Sequence, residues 1–191
     1  MTHRRGTGIV ELLVGAALAL AIVGLLTATM AAAGRAFTAV AWRAEAEDTA
    51  QAALELFGFD IRRAGFDPRA SGVVAVTEAR SDRLGLAADL DGDGTVDASS
   101  DEVVAWVCNL PGARLSRIIG AQSMPIADGV AACSFEYGDD SAVPIAVPAA
   151  GLDAAARARV RTLAIDLALR PHRSGGIPIS RHLRVALRST P

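Results

Sequence analysis

The amino-acid sequence predicts an α+β protein in which a long N-terminal helix packs on an antiparallel β-sheet, and three observations carry that reading. Residues 9–34 form an apolar run whose only charge is Glu11. It is long enough to cross a bilayer, since a spanning helix needs about 20 apolar residues at about 1.5 Å of rise each. Between Arg35 and Ala64 there is no proline, and Phe37, Val40, Ala41, Ala44, Leu54, Phe57 and Ile61 fall mostly at the three- and four-residue spacings of one helix face. Beyond Pro68 the apolar period shortens to strict alternation, the signature of strands with one covered face.

The N-terminal elements follow in order. Residues 1–6 are a short basic leader with Arg4 and Arg5, residues 7–34 the membrane-spanning half of a helix, and residues 35–66 its amphipathic half. Two simpler explanations of the start fit less well. A secretory signal has an apolar core of about 7–15 residues, shorter than this run, and an ordinary anchor with positive residues inside leaves Glu11 without a reason. An acid inside a spanning segment costs on the order of 2.5–3.5 kcal/mol on insertion scales, so it needs a partner or a task. The helix should run from about Thr7 to Ala64, on the order of 85 Å. Gly65 supplies a C-cap and Pro68 a stop. Arg43, Glu45, Glu47, Asp48 and Glu55 read as its solvated face.

Residues 67–191 read as one β-rich globular domain, of the usual size for a single core. Strand candidates are Val73 to Val76, Leu84 to Leu86, Val103 to Cys108, Arg114 to Ile119, Val130 to Tyr137, Thr162 to Leu169 and the run Leu183, Val185, Leu187. Asp153 to Arg159 suggests a short amphipathic helix. Every side chain that is basic at all pH values near neutrality is arginine, the net charge is −2, and no basic stripe is interleaved with aromatics. A nucleic-acid partner is therefore not expected.

Two constellations carry chemistry. Asp89, Asp91, Asp93 and Asp97 occupy the first, third, fifth and ninth places of a loop with Gly94 at the sixth, the opening of an EF-hand calcium loop in which the Thr95 carbonyl is a further oxygen donor. The twelfth place is Ser100 instead of a bidentate glutamate, for which Asp101 or Glu102 would have to substitute, and the bland alternative is an acidic turn held by Asx hydrogen bonds. Cys108 and Cys133 are the only cysteines. Alternation places them beside Trp106 and Phe135 on one inner face, which favours a disulfide in an exported domain over two buried thiols. Catalysis has little support: Ser116, Ser134 and Asp166 with His172 or His182 make a triad only on paper, and no nucleophile-elbow motif accompanies them. The expectation is a protein that is not an enzyme.

The start of the chain resembles a type IV prepilin. Gly6 after basic residues matches the peptidase cleavage glycine, Thr7 the new N-terminus, and Glu11 the fifth residue of the mature chain. The sequence departs from the family in carrying Thr7 where phenylalanine or methionine is usual and Gly8 where threonine is common, which bears on N-methylation. Further along, Ile61-Arg62-Arg63-Ala64-Gly65-Phe66, the Asp-Gly-rich loop, the strand with Trp106, Leu115-Ser116-Arg117, and Ile126 to Val130 leading into Phe135-Glu136-Tyr137 are similar to the PilW family of minor pilins. The J-type minor pseudopilins of type II secretion share much of that layout.

The resemblance implies a precursor cleaved by a prepilin peptidase and held in the inner membrane through residues 7–34, with its C-terminal domain in the periplasm. It implies partners among the other minor and major pilins and the inner-membrane assembly platform, a role in initiating assembly, and a place at or near the pilus tip. The free amine of Thr7 in one subunit would neutralise Glu11 of a neighbour in the filament core. The alternatives are a J-type pseudopilin, a membrane-anchored calcium-binding adhesion or sensor module, and a tethered periplasmic enzyme.

Overall fold

The computed structural model describes residues 8–141, 143–171 and 177–187. The chain divides after Trp42 into two units, and each is described by itself. Helix α1 spans Ile9–Arg63. In the first unit Ile9, Leu12, Leu20, Leu25 and Met30 are all exposed. The hydroxyls there do not compete with the helix for partners: Thr27 donates back to the Val23 and Gly24 carbonyls and Thr29 to that of Leu26. An apolar surface with its polar atoms satisfied internally is what a lipid-facing helix requires, and α1 is the one helix among the described residues long and apolar enough to span a membrane.

Among the described residues of the second unit, eight strands form two antiparallel sheets. Strands β1 (Val76–Ala79), β2 (Arg83–Ala87), β3 (Val103–Asn109), β4 (Arg114–Ile119) and β5 (Gln122–Asp128) make a five-stranded meander. Strands β6 (Val130–Gly138), β7 (Thr162–Leu169) and β8 (Ile179–Ala186) make a second sheet, and the short helix α2 (Ala154–Ala158), capped by Asp153, precedes β7. The architecture is the α+β one expected, with one correction: a single sheet was read and two are present. The break falls at Gly129, whose positive φ of 74° turns the chain between β5 and β6.

Strand β5 is absent from the sequence reading because Gln122 to Met124 are exposed and Pro125 interrupts any alternation. Strand β1 begins at Val76 and not Val73, because the Asp67 carboxylate takes the N–H groups of Ser71, Gly72 and Val73 and holds them in a loop.

The helix covers the sheets with a narrower stripe than its composition suggests. Ala46, Ala50, Ala53, Leu54, Phe57 and Ile61 are buried, whereas Phe37, Val40, Ala41 and Ala44 are exposed. Phe57 is the hinge of the core. Its ring meets Trp106 of β3 edge-on at 5.4 Å and stacks on Phe135 of β6 at 5.8 Å, so one helical residue packs against both sheets. The Cys108–Cys133 disulfide joins the same two strands, with Cα atoms 5.7 Å apart. The helix ends at Arg63, and Gly65 with φ of 73° donates its N–H to the Ala87 carbonyl at 2.8 Å, tying the helix end to β2.

Candidate functional site

The acidic loop is the connection of the β2–β3 hairpin. Ala87 pairs with Val103, and the Ala88 N–H donates to the Glu102 carbonyl at 2.9 Å, so the two arms are still in register where the loop begins. That register sets Asp89 and Glu102 on opposite arms at the loop's base. The Asp89 N–H donates to the Phe66 carbonyl at 2.8 Å and Arg69 Nη1 to the Asp93 carbonyl at 2.8 Å, which anchors the loop to the segment after the helix.

Within the loop each carboxylate has a distinct place. Asp89 is fully buried and accepts from the Gly92 and Gly94 N–H groups at 2.8 and 3.0 Å. Both glycines have positive φ, a backbone conformation that side chains disfavour and that lets the chain curl over Asp89. Glu102, also buried, spans the loop: Oε1 accepts from Leu90 at 2.7 Å and Oε2 from Asp97 at 2.8 Å. Asp89, Asp91 and Glu102 each bring a carboxylate oxygen within 4.8 Å of the others.

Of the five residues the sequence nominates, Asp89 and Asp91 are therefore in this group. Asp93 accepts from the N–H and hydroxyl of Thr95, and Asp97 from the N–H and hydroxyl of Ser99, both along the outer loop. Their carboxyls are held below the usual range, that of Asp93 chiefly by the Thr95 hydroxyl and that of Asp97 chiefly by the Ser99 N–H. Glu102 is likewise lowered, chiefly by the Asp97 N–H. The carboxylate group lies in the loop the sequence nominates, but it includes Glu102, there only a substitute, because EF-hand counting runs along the chain whereas the hairpin register runs across it. Three carboxylates with oxygens this close offer the hard-oxygen donors that a divalent cation takes.

The paper triad takes a different shape. Ser134 lies opposite Asp166, and Asp166 opposite His182, with His182 Nδ1 at 2.9 Å from Asp166 Oδ1. The acid is in the middle of the row. His182 is two strands from Ser134, about 9.6 Å at the usual spacing, so these three do not form a Ser–His–Asp relay. Ser116 sits on β4 in the other sheet. Glu11 lies in the first turn of α1 with its N–H bonded to the Gly8 carbonyl at 2.9 Å. Gly6, Thr7 and His172 lie outside the described residues.

One buried polar group escapes sequence reading altogether. Asp60, on the buried face of α1, receives both Arg117 and Trp106. An acid among apolar spacings looks like a helix surface position, and only the distant partner reveals otherwise. A scan against protein-family models and a search of curated proteins find no match to this chain.

Proposed function

We propose that this chain is a minor type IV pilin of the PilW kind, made as a precursor, cleaved between Gly6 and Thr7 and assembled at or near a filament tip. The observation that carries the reading is a single helix, Ile9–Arg63, with two characters. Its first part is exposed and apolar with one acid in the first turn, and its last part is buried on antiparallel sheets. A subunit anchored in the inner membrane and later withdrawn into a filament needs both: a lipid-compatible segment for storage and a folded domain carried on the same helix.

Glu11 acts in the transfer between those states. Alone in a low-dielectric core its charge is expensive, and the terminal amine of a neighbouring subunit neutralises it on assembly. The acidic β2–β3 loop binds Ca²⁺ in the periplasmic domain through Asp89, Asp91 and Glu102. Processing is the direct test. Co-expression with a prepilin peptidase should yield a chain beginning at Thr7 by mass spectrometry, and Gly6→Leu should block cleavage. An intact Met1 terminus alongside an active peptidase overturns the assignment. Glu11→Ala should insert in the membrane normally yet be depleted from sheared filaments.

A further inference from the structure

We propose that the outer face of the three-stranded sheet binds a free α-amino acid with an uncharged side chain, Asp166 taking its ammonium and Arg181 its carboxylate. An open cavity of about 240 Å³ lies on that face and is lined by residues of β6, β7 and β8. The strand register explains it. Ala132, Ala168 and Ser180 stand side by side in one cross-strand row, so adjacent positions on the three strands are all small and leave room above the sheet. The next row, Ser134, Asp166 and His182, borders that room with polar groups.

The charges around the cavity are not matched within the chain. One row further along the same face, Glu136 and Arg184 pair with each other at 3.7 Å. Asp166 has only an imidazole beside it: Oδ1 is 2.9 Å from His182 Nδ1, and no described residue bonds Oδ2. Arg181 has no carboxylate partner among the described residues. Alternation starts its side chain on the face of Leu183 and Val185, but β8 is the outermost strand of its sheet. The Leu187 N–H donates to the Arg161 carbonyl, so in the β7–β8 register Ser180 aims its own carbonyl away from β7, at the open edge. Arg181 Nη1 lies 3.4 Å from that carbonyl oxygen, which brings the guanidinium to the edge and makes Arg181 part of the cavity lining.

One acid and one base, each without a full counter-charge, select the ligand. A simple anion would be repelled by Asp166 and a simple cation by Arg181, while a neutral polyol would leave both without a partner. A zwitterion satisfies both. An α-amino acid carries its two charges on one carbon, and a charge-assisted hydrogen bond of about 2.8 Å at each end lets it reach between neighbouring strands about 4.8 Å apart. With both protein charges engaged, none is left for a charged side chain. The Ser134 and Ser180 hydroxyls, which bond no other described residue, are further partners, and the Ala132 and Ala168 methyls form an apolar floor.

The test is isothermal titration calorimetry on the full chain in detergent with each uncharged-side-chain α-amino acid in turn, and then, for the tightest, with its deaminated acid and its decarboxylated amine. At least one amino acid should bind with a Kd of about 1 mM or tighter, and each truncated analogue about tenfold more weakly or worse. Asp166→Asn should remove the preference over the acid, and Arg181→Gln the preference over the amine. Ala168→Leu, which fills the floor, should abolish binding. No heat with any of the amino acids at millimolar concentration, an analogue that binds as tightly as its amino acid, or preferences that survive both charge-removing variants overturns the proposal. The analogue series on the wild-type chain decides it even where a variant fails to fold.

Discussion

Asp60 of α1 and Arg117 of β4 form a bidentate ion pair, Nε to Oδ2 at 2.7 Å and Nη2 to Oδ1 at 2.8 Å, across 57 residues of sequence. Trp106, which lies opposite Arg117 in the β3–β4 register, donates its indole N–H to the same Asp60 Oδ2 at 2.9 Å. Both charged side chains are buried, at 8% and 2% exposure. The hydrogen bonds it donates to Asp60 chiefly hold the Arg117 guanidinium protonated, raising its pKa against the pull of burial. The constellation fixes the rotation of the helix over the first sheet, because a turn of α1 about its axis would strand two charges in the core.

Removing one partner should cost far more than removing both. Asp60→Leu leaves Arg117 buried without a counter-charge, a defect of about 3–5 kcal/mol. Asp60→Leu combined with Arg117→Met removes the charge as well as its partner, and should recover a large part of that loss. Urea denaturation of the four members of the cycle measures the coupling. Strict additivity of the two single changes would show that the pair contributes nothing as a pair.

The disulfide supports a second prediction, about the sheets and not the helix. Cys108 on β3 and Cys133 on β6 are 25 residues apart, and between them the chain completes the first sheet and enters the second. Closing that loop limits the unfolded ensemble by about 3 kcal/mol in the chain-entropy model. Cys108→Ala with Cys133→Ala should therefore lower the melting temperature while leaving Phe57 packed on Trp106 and Phe135. The near-ultraviolet circular dichroism of the aromatics would report that packing, and its loss would mean that the bridge specifies the fold as well as stabilising it.

How much of this was legible in the sequence depends on whether the determining contact is local. The long N-terminal helix, observed as Ile9–Arg63, the Gly65 cap and the alternation of β3, β6 and β7 are written in spacings of two to four residues, and among the described residues they fold as read. The split into two sheets is not, since it depends on the turn at Gly129 and on which edge β6 leaves unpaired. Glu102 and Asp60 were under-read for one reason: each is defined by a partner across a hairpin or across the core. The exposed Phe37 and Val40 illustrate the converse, an apolar spacing that continues past the end of the buried stripe.

Asp67 should give the domain an acid-sensitive element. Its carboxylate accepts from the Ser71 N–H and hydroxyl and from the Gly72 and Val73 N–H groups, with Ser71 the largest influence, and its pKa falls from 3.8 to about 2. A folded-state value below the unfolded one means that ionised Asp67 contributes stability in full above 3.8, and that this contribution is lost as the pH falls through about 2. Asp67→Ala should thus lower the melting temperature near neutrality, and the gap from wild type should close on acidification from about pH 5 to about pH 2. A gap that stays constant across that range would assign the effect to loop geometry alone.

The β2–β3 loop supplies the last prediction. Asp89, Asp91 and Glu102 converge within 4.8 Å, and like charges so placed repel unless a cation neutralises them. A cation that binds only the folded state stabilises it by RT ln(1 + [L]/Kd), about 2.7 kcal/mol at a concentration 100 times Kd. Millimolar Ca²⁺ should therefore raise the melting temperature of the full chain in detergent, and Mg²⁺ should raise it less, given its demand for tight octahedral geometry. The variants separate two ligand sets. Asp91→Asn should abolish the calcium effect under either, because Asp91 belongs to both. Asp93→Asn should preserve it if the hairpin base holds the ion, since the Asp93 carboxylate is engaged with Thr95, and abolish it if the ion is wrapped in the order of an EF-hand. Isothermal titration calorimetry that detects no heat at millimolar calcium would leave Glu102 as a strut between the loop's arms, bonded to Leu90 and Asp97, with no metal to hold.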